Sequence, residues 1–501
     1  MRETEVKFAV HGSFTLPDFD GEAPVAEVVQ LPDLELKATY YDTPDLRLAR
    51  SGVTLRYRTG EGEASGWHLK LPVDGDGGRT REEVHLEGPQ RPIPRRVEEL
   101  VTAYARTERL APVEAMHTKR RGWALNDAEG QTLAELVDDE VSVLQKGRVT
   151  TRFRELELEK RDAKTKTFEQ LVAQLQAAGA REAEPIPKVV RVLGPRATAP
   201  ADLPPVPALD KSSSGADLLR SALTRGLHRL IENDPQTRLG DVEGVHQMRV
   251  GARRLRSDLR TFEILVDPEW SGPLIEELRW LGESLGRVRD LDVLQERLGR
   301  SAEGSGSALI PLFNRLSEEH DAARDALEED LRSERYKNLL EALIEATRLP
   351  QLTEVADSSA RDLAPRVVAP RWKKLRKAVR ELDRQSTDEQ LHKVRIKAKR
   401  ARYAAEAVAP ALNATEAKAA ERFASGAEEI QEVLGKLQDA AVARETITRC
   451  LTDAGKDPVL HFAAGRLYEK ESRSAETERA SFEKAWENLD RRRNLSWLQN
   501  A

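Results

Sequence analysis

With one cysteine, Cys450, in 501 residues, the chain has no partner for an internal disulfide. That predicts a reducing compartment rather than a secreted, disulfide-stapled protein. Aromatic residues make up 5% of the chain, and none are interleaved as stacking platforms, which argues against a single-strand nucleic-acid binder. No apolar run approaches the roughly 20 residues that a membrane-spanning helix needs. The first residues run straight into a strand pattern, without the apolar segment of a signal peptide. The expectation is a cytoplasmic protein with no membrane partner and no specific nucleic acid. Neither sign of charge dominates: 80 Lys and Arg face 86 Asp and Glu, a net charge of −6. Any site for a polyanion must therefore come from clustering.

What is present is enough for more than one domain. Up to about Arg191 the pattern is mostly alternation broken by Gly and Pro. It predicts strands at Arg2–Val10, Glu35–Asp42, Val53–Arg58, Trp67–Leu71, Thr80–Glu87, Ala115–Leu125, Thr132–Leu144 and Arg152–Lys160. Helical patches fall at Arg95–Arg106 and Lys166–Ala177. The fold class expected is α+β: an eight-stranded antiparallel barrel with flanking helices, followed by an all-α domain. A stretch with five prolines between Gly194 and Asp210 marks the boundary. The domains expected are 1–194, a linker at 195–212, and 213–501.

Charges on the strands fall in same-face pairs, because side chains alternate between faces. Glu3, Glu5 and Lys7 share a face of the first strand, and Val6 and Phe8 share the other. Arg56 and Arg58, His68 and Lys70, and Glu155, Glu157 and Glu159 repeat the pattern. Arg81, Glu83 and His85 do so too. One strand alone fits a solvated charged face equally well. Recurrence favours a barrel with a charged lumen, acids on the first and last strands and bases on the middle ones. Such a lumen suits phosphoryl transfer to water. Arg matches phosphate oxygens, and carboxylates can face phosphate only across a hard divalent ion.

Glu3-x-Glu5-x-Lys7, Tyr41-Asp42-Thr43, Leu55-Arg56-Tyr57-Arg58, Leu69-Lys70-Leu71-Pro72 and Glu155-Leu156-Glu157-Leu158-Glu159, in that order, resemble the CYTH domain of the triphosphate tunnel metalloenzymes. The resemblance implies a tunnel that hydrolyses triphosphates with Mg2+ or Mn2+. It implies Glu3, Glu5, Glu157 and Glu159 as metal-side acids. Lys7, Arg56, Arg58, Lys70, Arg81 and Arg120 would hold phosphates, and Lys188 and Arg191 would be the closing basic segment. Glu5, Lys7 and Arg58 are the catalytic candidates. The sixth strand could slip by one residue; Arg120 is preferred inward because Trp123 then faces out. Either Asp138 or Asp139 could be the seventh-strand acid; Asp139, on the face of Glu135, is preferred as a metal ligand. His68 and His85 are read as surface or lumen-lining residues rather than metal ligands, since an all-oxygen site has no need of them.

From about Ala216 the period becomes 3.6. Val245-His246-Gln247-Met248-Arg249 recurs as Leu391-His392-Lys393-Val394-Arg395, and Leu285-Gly286-Arg287-Val288-Arg289-Asp290 as Leu434-Gly435-Lys436-Leu437-Gln438-Asp439. Near-equal offsets predict a duplicated unit, about 216–350 and 360–500, forming two pseudosymmetric bundles. Val245, Met248, Ala252, Leu255, Leu259 and Phe262 make a core stripe. Beside it His246, Arg249, Arg253, Arg256 and Arg260 make a basic one. His392, Arg395, Lys399 and Arg402 repeat this in the second copy. Like charges one turn apart repel, which favours an anion-binding surface over a solvated face. Arg371-Trp372-Lys373-Lys374 adds a further basic helix. These motifs resemble the CHAD domain, which implies two four-helix bundles whose basic surface, with Arg287, Arg289 and Lys436 included, binds inorganic polyphosphate.

The function expected is a metal-dependent triphosphatase acting on inorganic triphosphate or another short triphosphate, with a helical domain that binds polyphosphate. The alternative is a non-catalytic polyphosphate-binding scaffold. A nucleotide cyclase would share the fold but needs a nucleoside pocket that no motif supplies. Homodimer formation is left open.

Overall fold

The computed structural model describes residues 2–60, 65–73, 79–145, 147–304, 306–383, 385–453 and 457–498, without the side chains of residues 2, 3, 306, 453, 492 and 493. It divides into two compact units, Met1–Asp202 and Leu203–Ala501. No helix among the described residues is long and apolar enough to cross a membrane.

The first unit is built on β1 (Arg2–Ala9), β2 (Glu27–Gln30), β3 (Leu34–Asp42), β4 (Thr54–Thr59), β5 (Gly66–Pro72), β6 (Thr80–Leu86), β7 (Ala111–Asn126), β8 (Thr132–Gln145), β9 (Arg148–Lys160) and β10 (Arg181–Glu182). Eight of them close a barrel in the order β1-β6-β5-β4-β3-β7-β8-β9, with β9 pairing back onto β1. Every pairing is antiparallel. The short β2 adds to β7, and β10 to β1; neither is long enough to leave an alternation in the sequence. Around the barrel lie α1 (Arg47–Arg50), α2 (Arg95–Leu100), α3 (Thr102–Ala105), α4 (Thr165–Ala177) and α5 (Lys188–Leu193). The single helix expected at Arg95–Arg106 is broken at Val101, whose φ of −110° and ψ of 8° are not helical.

The barrel is turned charged side in. Val6, Phe8, Leu136, Leu156 and Leu158 face outward and are buried under Phe168, Leu171 and Leu175 of α4. Each such side chain taken out of water contributes about 1.5–3 kcal/mol. The apolar face thus decides the orientation, and period-two alternation sends Glu5, Lys7, Glu155, Glu157 and Glu159 into the lumen. All five are buried there. One end of the lumen is apolar: Val189 and Val190 of α5 pack with Tyr40, Met116, Val141 and Phe153. The ionic part lies beyond.

The second unit is helical: α6 (Gly215–Leu239), α7 (Val242–Thr261), α8 (Pro268–Ser301), α9 (Ile310–Arg332), α10 (Glu334–Arg348), α11 (Ala360–Arg380), α12 (Asp388–Val408), α13 (Ala414–Asp453), α14 (Pro458–Leu489) and α15 (Arg492–Leu495). Ser214 starts α6 with a capping box, in which its side chain and that of Asp217 satisfy each other's backbone N–H. Helices α6 to α9 form one four-helix repeat and α11 to α14 the other; α7 packs on α12 across the join. The core stripe of α7 is buried as its spacing predicts, and so are Leu391, Val394, Ala398, Ala401 and Ala405 of α12. The helices α10 and α15 are additional to the two four-helix repeats.

The repeat is exact to the side chain at one place. Arg249 lies over Gly286, and Arg395 over Gly435. A methyl group on either glycine would stand 3.5 Å and 3.4 Å from the respective Nε atoms. The two guanidinium groups thus pack at matching places on α8 and α13.

Candidate functional site

In the barrel, β1 and β9 pair so that Glu5 stands opposite Glu159 and Lys7 opposite Glu157. One carboxylate oxygen from each of Glu5, Glu157 and Glu159 lies within 4.8 Å of the others. Three buried carboxylates this close repel unless a cation joins them. An all-carboxylate donor set is what Mg2+ and Mn2+ prefer, so these residues fit such an ion. The Glu3 side chain lies outside the described residues.

Lys7 supplies some of the balancing charge. Its Nζ bonds Glu157 and stands 3.3 Å from Glu5 and 3.4 Å from Glu155. Burial pulls the Lys7 pKa down, but Glu157, Glu5 and Glu155 outweigh it and hold the ammonium well above its ordinary value. Lys188, the first residue of α5, bonds Asp139 at 2.7 Å and Glu157 at 3.0 Å. Arg120 bonds both oxygens of Asp139, at 2.9 Å and 2.8 Å, and comes within 3.5 Å of Glu157. Burial would raise the Glu157 carboxyl; Lys188, Lys7 and Arg120 hold it well below the usual range. For Glu155 burial wins over Lys7 and Lys188, and its pKa is raised.

Across the lumen, Arg56 and Arg58 of β4, Lys70 of β5 and Arg81 of β6 line the same cavity of about 510 Å3. Glu83 stands among them, 3.0 Å from His68 Nδ1, 3.4 Å from Lys70 Nζ and 3.9 Å from Arg56. The His68 and His85 rings lie 4.8 Å apart, tilted by 55°, and His68 bonds Glu83 rather than the acid trio. The cavity is lined by eight cations, Lys7, Arg56, Arg58, Lys70, Arg81, Arg120, Arg161 and Lys188, against the carboxylates of Glu5, Glu83, Glu135, Glu157 and Glu159. An excess of cations in a walled cleft attracts a polyanion.

Two sequence expectations change here. Asp139 faces the lumen, but Arg120 and Lys188 hold its oxygens, and it is not among the clustered acids; it positions cations. Arg191, one turn into α5, is half exposed, lies over the Phe153 ring at 4.6 Å and is 3.8 Å from Glu155. It does not line the cavity: at i+3 it shares a face of α5 with Lys188 but stands one turn further along, against Phe153. Tyr40 and Arg161 also line the cavity, and neither was singled out by pattern. Glu83 was visible as a same-face neighbour of Arg81. Arg161 lies one residue beyond β9, where alternation ends.

In the helical unit the two basic stripes meet at the α7–α12 join. Arg253, Arg256, Arg260 and Lys399 line a cavity of about 600 Å3 with Arg366, Arg371 and Lys374 of α11 and Arg400; Glu263 is the acid in its wall. Burial, then Arg253, Arg395, Arg249 and Arg256, push the Lys399 pKa down to about 6. His246 sits beside Arg289, Arg253 and Arg249, and burial followed by these cations lowers its pKa. Arg249 is ion-paired with Asp290 at 2.9 Å. Other stripe members are diverted. Arg402 bonds Glu406 at 2.6 Å and Glu428 at 2.7 Å. Arg287 turns to Asp330 at 3.8 Å and Lys436 to Glu478 at 3.5 Å. His392 lines a separate open groove with Asp388, Glu389 and Arg444. Arg254, outside both stripes, lies over the Tyr403 ring at 4.5 Å and bonds Glu406.

The CYTH domain model matches residues 1–189 and the CHAD domain model residues 221–448. The uncharacterised protein Rv2226 of Mycobacterium tuberculosis is 33% identical over 523 residues, covering 98% of this chain and 96% of its own. Among solved structures, PptA from Streptomyces chartreusis matches at 20% identity and a TM-score of 0.46, covering 55% of this chain and 100% of its own. The CHAD domain from the plant Ricinus communis matches at 25% identity and a TM-score of 0.46, covering 56% of this chain and 95% of its own.

Proposed function

Because the chain belongs to the CYTH family through its barrel and to the CHAD family through its helices, we propose that it is a metal-dependent triphosphatase carrying a polyphosphate-binding domain. The observation that supports this most is the acid trio Glu5, Glu157 and Glu159 facing the basic wall of Arg56, Arg58 and Lys70 across one cavity. A protein that only gripped a polyanion would gain nothing from three clustered carboxylates, since they repel it.

The substrate class is a short inorganic triphosphate, its negative oxygens held by Arg56, Arg58, Lys70 and Arg81. Guanidinium forks fix two oxygens at once, and so orient the chain as well as bind it. Glu5, Glu157 and Glu159 would hold Mg2+ or Mn2+, which when bound supplies charge neutralisation and a more acidic water. Lys7 stays charged through the neutral range and is placed to stabilise negative charge at the acid side of the lumen. Water attacks the terminal phosphorus, the phosphoanhydride bond breaks, and phosphate and pyrophosphate leave. Apolar packing of α5 at one end of the lumen lowers the local dielectric and so strengthens the ionic contacts near it. The helical cavity would hold longer phosphate chains.

The test is phosphate release from tripolyphosphate, thiamine triphosphate and ATP with Mg2+ or Mn2+. Wild type is compared with Glu5→Gln and Arg58→Ala. Both changes should cut kcat/KM by at least about a hundredfold. Activity indifferent to both would remove the assignment. A wild type that binds tripolyphosphate without turning it over would favour the scaffold reading. The ion pairs that already occupy Glu157 and Glu159 are what lend that second reading weight.

A further inference from the structure

Arg161 follows β9 directly, and its backbone is tied down by the bond from its N–H to Leu133 O at 3.1 Å. Its side chain reaches back into the lumen and lines the cavity. There Nε and Nη2 bond the two oxygens of Glu135 at 3.0 Å and 2.9 Å, and Nη2 also bonds Glu159 Oε2 at 2.9 Å. Glu159 belongs to the clustered acid trio. The guanidinium therefore shares with any divalent ion one carboxylate that the ion would need. A doubly charged ion and a guanidinium on the same buried carboxylate repel each other strongly. The side chain is about one third exposed, and a long Arg side chain on a fixed backbone has room to swing.

We propose that Arg161 is the cation that keeps Glu159 occupied before metal arrives, and that metal binding releases it to grip the substrate's phosphate. This rests on the triphosphatase reading above. Glu135, held by two parallel bonds, is the hinge post that keeps the released guanidinium near the cavity. The arrangement makes metal and Arg161 competitors without phosphate and partners with it. Linkage requires the competition to run both ways.

The experiment titrates full-length protein with Mn2+ in the absence of phosphate, following free Mn2+ by its electron paramagnetic resonance signal. Tripolyphosphate kinetics are then measured at saturating Mn2+. Arg161→Gln should bind Mn2+ roughly fivefold tighter or better, the lower range of coupling between competing ligands. At saturating metal its KM for tripolyphosphate should rise roughly tenfold with kcat changed less. Arg161→Lys, which keeps the charge without the fork, should fall between. Mn2+ affinity unchanged or weakened in Arg161→Gln overturns the proposal, as does an unchanged KM. Glu5→Gln separates the two levels of inference. If it binds Mn2+ like wild type, the acid trio is not the metal site and the underlying reading fails. If it loses Mn2+ while Arg161→Gln gains none, the competition alone is wrong.

Discussion

Lys188 Nζ stands 2.7 Å from Asp139 Oδ2, so the first residue of α5 delivers a cation to a fully buried carboxylate of β8. The same ammonium reaches Glu157 at 3.0 Å. One ion contact thus joins the helix that closes the lumen to the residues that line it.

Lys188→Met should leave Asp139 held by Arg120 and cost about 3 kcal/mol, typical of removing one member of a buried pair. Amide hydrogen exchange on β8 and β9 reads this loss. The pH dependence has a definite sign. Asp139 and Glu157 are held below the usual carboxylate range. Their stabilisation is therefore complete above the ordinary carboxylate pKa and is lost as pH falls through the lowered values. Without Lys188 that acid-side loss should shrink.

Asp42 belongs to the motif Tyr41-Asp42-Thr43, yet its carboxylate faces backbone rather than the cavity. It accepts hydrogen bonds from the N–H groups of Thr43 at 2.7 Å, Leu48 at 3.0 Å and Ala49 at 2.9 Å. Asp42→Ala should cost about 2 kcal/mol through loss of this cap. At a temperature where the variant is folded, kcat/KM on tripolyphosphate should change by no more than about twofold, since no contact to the site is removed. A hundredfold loss of activity would mean that the residue acts in the site after all.

Arg249→Glu combined with Arg395→Glu reverses charge at matching places in the two repeats, each over its glycine. Binding of long-chain polyphosphate should weaken by at least about tenfold, with a shallower salt dependence because fewer counterions are released. Triphosphatase activity should persist. Unchanged retention on immobilised polyphosphate would count against the join of the two stripes as the binding surface.

Lys399 gives the helical site a pH dependence. Burial lowers its pKa most. From α7, Arg253, Arg249 and Arg256 add to this, and from α12 Arg395 does, leaving a value of about 6. A polyanion bound among these groups favours the charged form. Binding near neutral pH should then take up a proton, and affinity should rise as pH falls toward 6 and level off below it. Calorimetry in two buffers of different ionisation enthalpy detects the uptake, which should vanish in Lys399→Met. An uptake that survives Lys399→Met assigns the proton elsewhere.

Much of the site was legible because alternation is a strong constraint. Once Val6, Phe8, Leu156 and Leu158 are taken as the buried outer face, Glu5, Lys7, Glu157 and Glu159 have one direction left. The basic stripes of the helical half were legible for the same reason at a period of 3.6. Diversion of Arg402 to Glu428, of Arg287 to Asp330 and of Lys436 to Glu478 was not legible. Those acids lie on other helices, and periodicity says nothing about what a neighbouring helix presents.

The order of residues by itself determined the two domains, the closed charged lumen, the duplicated helical unit and the acids and bases available to each. These follow from local periodicity and from the free energy of burying apolar faces. Only the tertiary structure decided which charges meet. It placed Glu5, Glu157 and Glu159 within reach of one ion, gave Asp139 to Arg120 and Lys188, set Arg191 against Phe153 and laid Arg161 on Glu159. Ion pairing depends on distances of a few ångströms between strands far apart in the chain, and those distances are set by barrel closure and register.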